Sequence, residues 1–252
     1  MSVTKRVAAV TGASSGIGRA VALGLAAEGY HVAVIARRKE QLEETAALAG
    51  AAASRMLAVP GDVSDPASVK ASFDRVAAAF GRLDLLFNNA GVVLRATPLE
   101  DISPEDWRKV IDINLNGSFY CAQAAVRIMK QQDPKGGRII NNGSISALVP
   151  RLRGIAYTAS KHAITGLTKS ISLEGRDYDI SCCQINLGNA TIERTAQMEK
   201  GMLQPDGTMK PEPRMSIDSI VKSILFMASL PLTESVPNLT IMPNKMPFLG
   251  RG

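Results

Sequence analysis

Tyr157 and Lys161 stand four residues apart in a stretch, Ala156 to Leu173, whose apolar spacing predicts a helix. At that spacing a phenol and an ammonium share one helix face. A free phenol titrates near pH 10, so a tyrosine that moves protons near neutrality needs a cation beside it. The pair alone is weak, because a surface tyrosine beside a solvated lysine is the commoner arrangement. Ser144, thirteen residues earlier, adds a hydroxyl just past a predicted strand within Gly137 to Asn142. Asn88, Asn89, Ala90 and Gly91 follow another predicted strand, Leu83 to Phe87. Ligands of open α/β sheets bind along the carboxyl edge of the strands. Both groups therefore point to that edge.

A second constellation lies at Thr11-Gly12-Ala13-Ser14-Ser15-Gly16-Ile17-Gly18, between a strand at Val7 to Val10 and a helix from Ile17 to Ala27. Glycines there let the backbone turn tightly and approach a pyrophosphate, which the helix N-terminus then stabilises. The spacing is Gly12-x3-Gly16-x-Gly18, not the commoner G-x-G-x-x-G. Glycine-rich turns also simply join strands to helices; the strand–turn–helix setting favours a dinucleotide site. At the end of the second strand a carboxylate would bind the ribose hydroxyls of NAD. The run there is Ile35-Ala36-Arg37-Arg38, with no carboxylate. Arg37 and Arg38 suit a 2′-phosphate, to which guanidinium groups make charge-assisted bonds. The expected cofactor is NADP(H), and the plain alternative is a solvated charge pair.

These groups need a frame. Apolar runs at Val7–Val10, His31–Ala36, Met56–Val59, Leu83–Phe87, Gly137–Asn142, Ser181–Ile185 and Leu239–Met242 read as strands. Helices are expected at Ile17–Ala27, Gln41–Ala49, Ser64 to about Phe80, Ser103 towards Met129, Ala156–Leu173 and Ile217–Leu230. Short strands joined by helical crossovers mean a parallel sheet with helices on both faces. The fold class is α/β, a Rossmann-like doubly wound parallel sheet of about seven strands. No linker or repeat divides residues 1–252, so one domain is expected. Residues 188–215 break the pattern with glycines, prolines and four methionines, as a lid over substrate would.

Composition narrows the function classes. With 252 residues, 46% hydrophobic and 21% charged, the chain is ordinary globular material. Its net charge of +6 gives a pI near 9.3. The densest basic run is only Arg37-Arg38-Lys39 and aromatics make up 4%, too local and too few for a nucleic-acid groove. No run reaches the roughly 18 apolar residues of a membrane helix. The start, Met1 to Arg6, leads directly into a strand, and the three cysteines Cys121, Cys182 and Cys183 are too few for a disulfide framework. A soluble, cytoplasmic protein is expected. Neither His31 nor His162 has a metal-like partner set, so no metal is predicted.

The ordered set of motifs resembles the short-chain dehydrogenases/reductases over nearly the whole chain. It carries TGxxxGxG (Thr11 to Gly18), an Asp-Val pair (Asp62, Val63), NNAG (Asn88 to Gly91), a mid-helix asparagine (Asn114) and Ser…YxxxK (Ser144, Tyr157, Lys161). The resemblance implies hydride transfer between NADP(H) and a carbonyl or secondary alcohol. Tyr157 would be the acid/base, Ser144 would bind the substrate oxygen, Lys161 the nicotinamide ribose, and Asn114 a relay water. Cofactor contacts would fall to Gly12, Ser14, Ser15, Gly16, Ile17, Gly18, Arg37, Arg38, Asp62, Val63, Asn89, Ala90, Gly91, Tyr157 and Lys161, with Gly188 and Thr191 after the sixth strand. Relatives usually form dimers or tetramers, so a homo-oligomer is expected.

Two stretches depart from the family. Asn186-Leu187-Gly188 replaces Asn-Pro-Gly, and Ile241-Met242-Pro243-Asn244-Lys245 lacks the usual Val-Asp-Gly-Gly ending. Arg151 and Arg153 could meet an acidic substrate or be ordinary loop arginines. Met198, Met202, Leu203 and Met209 could touch substrate or merely pack. Other function classes stay open: an NADP(H)-binding regulator without catalysis, a nucleic-acid binder suggested only by the pI, and a dehydratase or epimerase.

Overall fold

The computed structural model describes residues 5–192, 195, 198 and 201–248. Residues 1–4, 249–252 and the rest of 193–200, where part of the expected lid falls, lie outside the described residues. The apolar runs become strands β1 (Val7–Thr11), β2 (His31–Ala36), β3 (Met56–Pro60), β4 (Leu85–Asn88), β5 (Gly137–Asn142) and β6 (Ile180–Leu187). A small antiparallel hairpin, β7 (Met202–Leu203) with β8 (Met209–Lys210), precedes the last strand, β9 (Asn238–Ile241). Seven strands form one parallel sheet in the order β3-β2-β1-β4-β5-β6-β9. The order reverses between β1 and β4, and that switch point opens a crevice at the strands' carboxyl ends.

Period-two side chains divide the core into two layers. Ala8, Val10, Val32 and Val34 meet α1 (Gly16–Ala27) and α7 (Ile217–Ser229) on one face. Val7, Ala9, Ala33 and Ile35 meet α3 (Pro66–Phe80) and α5 (Gly117–Gln131) on the other. Fully burying each valine or isoleucine among them contributes about 1.5–3 kcal/mol. The remaining helices are α2 (Lys39–Ala47), α4 (Pro104–Ile111) and α6 (Ile155–Glu174). Local chemistry sets their ends. Asp65 caps α3 by accepting from the Ala67 amide, with Pro66 in the first turn, and Gly81 ends that helix at φ +79°.

The helix expected from Ser103 towards Met129 is not continuous. Ser103 does cap its start, but a π-helical segment, Asp112–Asn116, separates α4 from α5. The wide turn places Asn114 where its side-chain oxygen accepts from the Val92 amide (2.8 Å) and its amide donates to Val92 O (3.0 Å). Inserted turns of this kind are frequent near functional sites. Gly50 opens a 3₁₀ turn, Gly50–Arg55, so α2 stops short of the expected Ala49. β6 runs further than expected, to Leu187, which pairs with Ile241. The following Gly188 approaches β9 so closely that a Cβ would lie 2.6 Å from Met242 Cβ.

Candidate active site

A cleft of about 340 Å³ lies at the switch point, walled by the turn after β1, the end of β2, the loops after β3 and β4, and α6. Its floor is the glycine turn. Gly12 and Gly16 adopt φ +65° and +53°, and a Cβ on Gly18 would sit 2.3 Å from Gly12 O. Only glycine fits there. Ser15 precedes α1 without a side-chain capping bond, and the first turn carries no acidic residue. The first amides of α1 are thus left for an anion from outside the helix.

Side chains brace this turn from two directions. The amides of Asn89 and Ala90 donate to Thr11 Oγ1 (2.9 and 3.0 Å), and Asn89 Nδ2 donates to Thr11 O. On the other side Arg19 Nη2 donates to Ser14 O (2.8 Å), Arg19 Nε to Thr45 Oγ1, and Thr45 Oγ1 to Ala13 O. Glu44 pairs with Arg19 at 2.9 Å. The bracing residues Arg19 and Thr45 carry no motif signal.

Arg37, Arg38 and Asp62 line the cleft beside Ser14 and Ser15. Arg38 Nη2 donates to Ser14 Oγ at 3.3 Å. Burial pushes the Asp62 carboxyl upward, but the Ser64 hydroxyl and amide and the Arg37 charge outweigh it and hold the group below its ordinary value. Val63 lines the same wall and packs against Gly117. Among the described residues three cations, Arg37, Arg38 and Lys161, and one carboxylate, Asp62, line this cleft, an arrangement that attracts anions.

Tyr157 and Lys161 line the cleft together with Asn89, Ala90, Gly91 and Ile17. Lys161 is 4% exposed; its Nζ lies 5.5 Å from the Tyr157 ring centre and donates to Asn142 O at 2.6 Å. Ser144 does not contribute to the wall. It caps a 3₁₀ turn, with Oγ accepting from the Ser146 amide at 3.1 Å, which leaves its hydroxyl hydrogen free to donate. Asn114 is also off the wall; it joins Val92 to α6 through Ser160 Oγ.

Gly188 and Thr191 are not cleft residues either. The Thr191 amide donates to Met215 O (2.8 Å), and it is Ile192 that reaches the wall, 3.7 Å from where a Gly16 Cβ would stand. Ala36, Gly61, Val92, Ile113 and Asn142 line the cleft without having been singled out by motif.

A polar chain runs across the sheet behind the site. Asn88 Nδ2 donates to Asn141 Oδ1 and Asn141 Nδ2 to Thr168 Oγ1. Gln184 Nε2 and the Ser144 amide both donate to Asn186 Oδ1, and Asn186 Nδ2 donates to Asn238 Oδ1. Asn88, Asn141, Gln184 and Asn186 are buried. Among the described residues no group of three His, Cys, Asp or Glu side chains could hold a metal. The Cys121 and Cys183 thiols are pushed up by burial to about 12 and 11. Arg151 is no ordinary loop arginine: it pairs with the buried Glu212 at 2.6 Å.

A doubly wound sheet, a glycine-braced anion turn and a Tyr–Lys helix face define a dinucleotide-dependent oxidoreductase architecture. Residues 6–202 match the short chain dehydrogenase family, and the chain belongs to it. It is 38% identical over 195 residues to the 3beta-hydroxysteroid dehydrogenase of Mediterraneibacter gnavus, covering 76% of this chain and 70% of that one. It is 37% identical over 231 residues to the 3-oxoacyl-acyl-carrier-protein reductase of Staphylococcus aureus, covering 91% of this chain and 92% of that one. A metagenomic short-chain oxidoreductase in complex with NADP superposes with a TM-score of 0.80 at 29% identity, over 94% of this chain and 96% of that one. Among the described residues no helix is long and apolar enough to cross a membrane.

Proposed function

We propose that the protein interconverts secondary alcohols and carbonyl compounds with NADP(H). The observation that carries this reading is the joint presence of Tyr157, Lys161, Arg37, Arg38 and the glycine turn on one cleft. The turn's close approaches and its unclaimed helix amides suit a pyrophosphate, and the two guanidinium groups suit a 2′-phosphate. Bound there, the nicotinamide would supply or accept the hydride.

In reduction the Tyr157 phenol would donate its proton to the carbonyl oxygen; in oxidation the phenolate would take the alcohol's proton. The free hydrogen of Ser144 would point at the same oxygen and hold it in place. The Lys161 ammonium stands 5.5 Å from the Tyr157 ring centre, where it would offset negative charge that develops on the phenol oxygen in the reaction. The Lys161 ammonium, which donates to Asn142 O, would also meet the ribose hydroxyls of the bound cofactor. Asn114 would set the depth of Val92 and Ser160 beside Tyr157 and carry the relay water on its own segment.

Cofactor choice tests the reading. NADP(H) should bind about ten- to 150-fold more tightly than NAD(H), the worth of a charge-assisted phosphate contact. The double change Ala36→Asp with Arg37→Ala should invert that order in a titration of both cofactors. Equal affinities in the unaltered protein would refute it. Tight NADPH binding without turnover across a wide carbonyl panel would instead favour a regulatory role.

Two assembly features belong to the same proposal, on one domain spanning residues 1–252. The segment 188–215 would act as a lid, its base closed by the Ala190–Met215 bridge and the Met215 amide bond to Asn189 O (2.8 Å). Limited proteolysis should cut it without ligands and spare it with cofactor and substrate; equal cutting in both states would dismiss the lid. Trp107, Phe119 and Leu173 expose apolar surface on α4, α5 and α6, which fits a homo-oligomer, a tetramer or dimer. Light scattering at micromolar concentration should give a multiple of 26.8 kDa. Three free buried thiols fit a reducing, cytoplasmic setting.

A further inference from the structure

We infer that the substrate is an uncharged secondary alcohol, or its ketone, on an apolar skeleton of the alicyclic or arylalkyl kind. This rests on the oxidoreductase reading above and concerns what stands beside Ser144 and Tyr157. Two observations carry it: the loop surfaces there and the fate of the first arginine after Ser144.

The loop from Ser144 to α6 exposes Leu148 (46%) and Leu152 (49%), and the loop after β4 exposes Val93 (49%). The two loops are joined, since the Thr97 amide donates to Arg153 O at 3.3 Å. Apolar side chains half-exposed on joined loops at a sheet's carboxyl edge offer wall to a carbon skeleton. Burying one methylene against such a wall raises affinity roughly fourfold.

The charge pattern excludes an anionic substrate group from the same place. Arg151, the first arginine after Ser144, donates from Nη2 to Glu212 Oε2 (2.6 Å) and to Asn189 Oδ1 (3.0 Å). The Glu212 side chain is 2% exposed and also accepts from Asn189 Nδ2 and Gln204 Nε2. Its carboxylate already takes the role that a substrate carboxylate or phosphate would play. The other arginines of these loops, Arg95 and Arg153, are exposed, where water and salt screen them. A polyol would fare no better, because its hydroxyls would lose water against leucine and valine without gaining partners.

The test compares initial rates, with NADP⁺, on 4-methylcyclohexanol and 1-phenylethanol against threitol and 3-hydroxybutyrate. The apolar alcohols should show kcat/KM at least about tenfold higher. Leu152→Glu, at an exposed position that tolerates charge, should raise KM for the apolar alcohols about tenfold while kcat changes little. In parallel, the melting temperature of the NADP⁺-saturated protein is read with each compound, which needs no turnover. Faster turnover of threitol or 3-hydroxybutyrate overturns the substrate class and leaves the oxidoreductase reading intact. Stabilisation by the apolar compounds alone, with no turnover of anything, keeps the class and overturns the reaction. Neither stabilisation by nor turnover of the apolar compounds overturns the inference.

Discussion

Tyr157→Phe is expected to lower kcat by at least about a hundredfold, because general acid–base catalysis typically contributes 10²–10⁴. The ring stays on α6 beneath the Lys161 ammonium, and only the phenol oxygen is lost. NADPH affinity should stay unchanged, since the phosphate turn and Arg37 and Arg38 are untouched. Lys161→Ala should differ, weakening cofactor binding and turnover together, because in the proposed mechanism its ammonium would serve ribose and phenolate alike. Two numbers per variant decide the matter: kcat on a responsive substrate and the NADPH dissociation constant. Near-wild-type kcat in Tyr157→Phe would remove the tyrosine from the mechanism.

The second large effect concerns Glu212. Burial drives its carboxyl upward, but bonds from Gln204 and Asn189 and the Arg151 charge prevail, so the folded protein holds it below its ordinary 4.5. A carboxylate lowered on folding stabilises the fold at all pH values above the unfolded pKa. That contribution fades as pH falls below about 4.5 and is gone once pH passes the lower folded value. Glu212→Ala strands Arg151 and two amides, and with Arg151 about a quarter exposed the loss should be about 2–4 kcal/mol. The melting temperature at pH 7 should drop by roughly 5–15 °C for a chain of this size. The gap between the variant and the parent should narrow as pH falls below about 4.5. A gap that stays the same across that range would deny the carboxylate's charge any part.

Much of this architecture could be read in the chain because its signals are local. Four-residue apolar runs announced the buried strands, and proline after Asp65 or Ser103 announced helix starts. Tyr157 and Lys161 showed themselves by a helical period. The break at Asp112–Asn116 did not, because a π turn costs one extra residue and leaves no compositional trace. Asn142 looked like the end of a strand, and only the fold turns its carbonyl towards Lys161. The Arg151–Glu212 pair spans 61 residues, a separation at which no periodicity speaks. The wall position near Gly16 fell to Ile192 and not Thr191, a one-residue difference set by how the chain leaves β6.

The polar chain behind the site has a consequence for inheritance of change along the molecule. The amides of Asn141, Gln184 and Asn186 have a fixed sense, since the oxygen of each accepts from one neighbour and its nitrogen donates to another. Asn238 on the outermost strand, β9, orients Asn186, and Asn186 in turn grips the amide of Ser144. A residue at the sheet's margin thereby sets the posture of a hydroxyl two strands inward. Asn238→Leu would take away the acceptor of Asn186 Nδ2 while Gln184 and the Ser144 amide still hold its oxygen, so directed variation at this margin should tune the reacting centre without touching any residue that lines it.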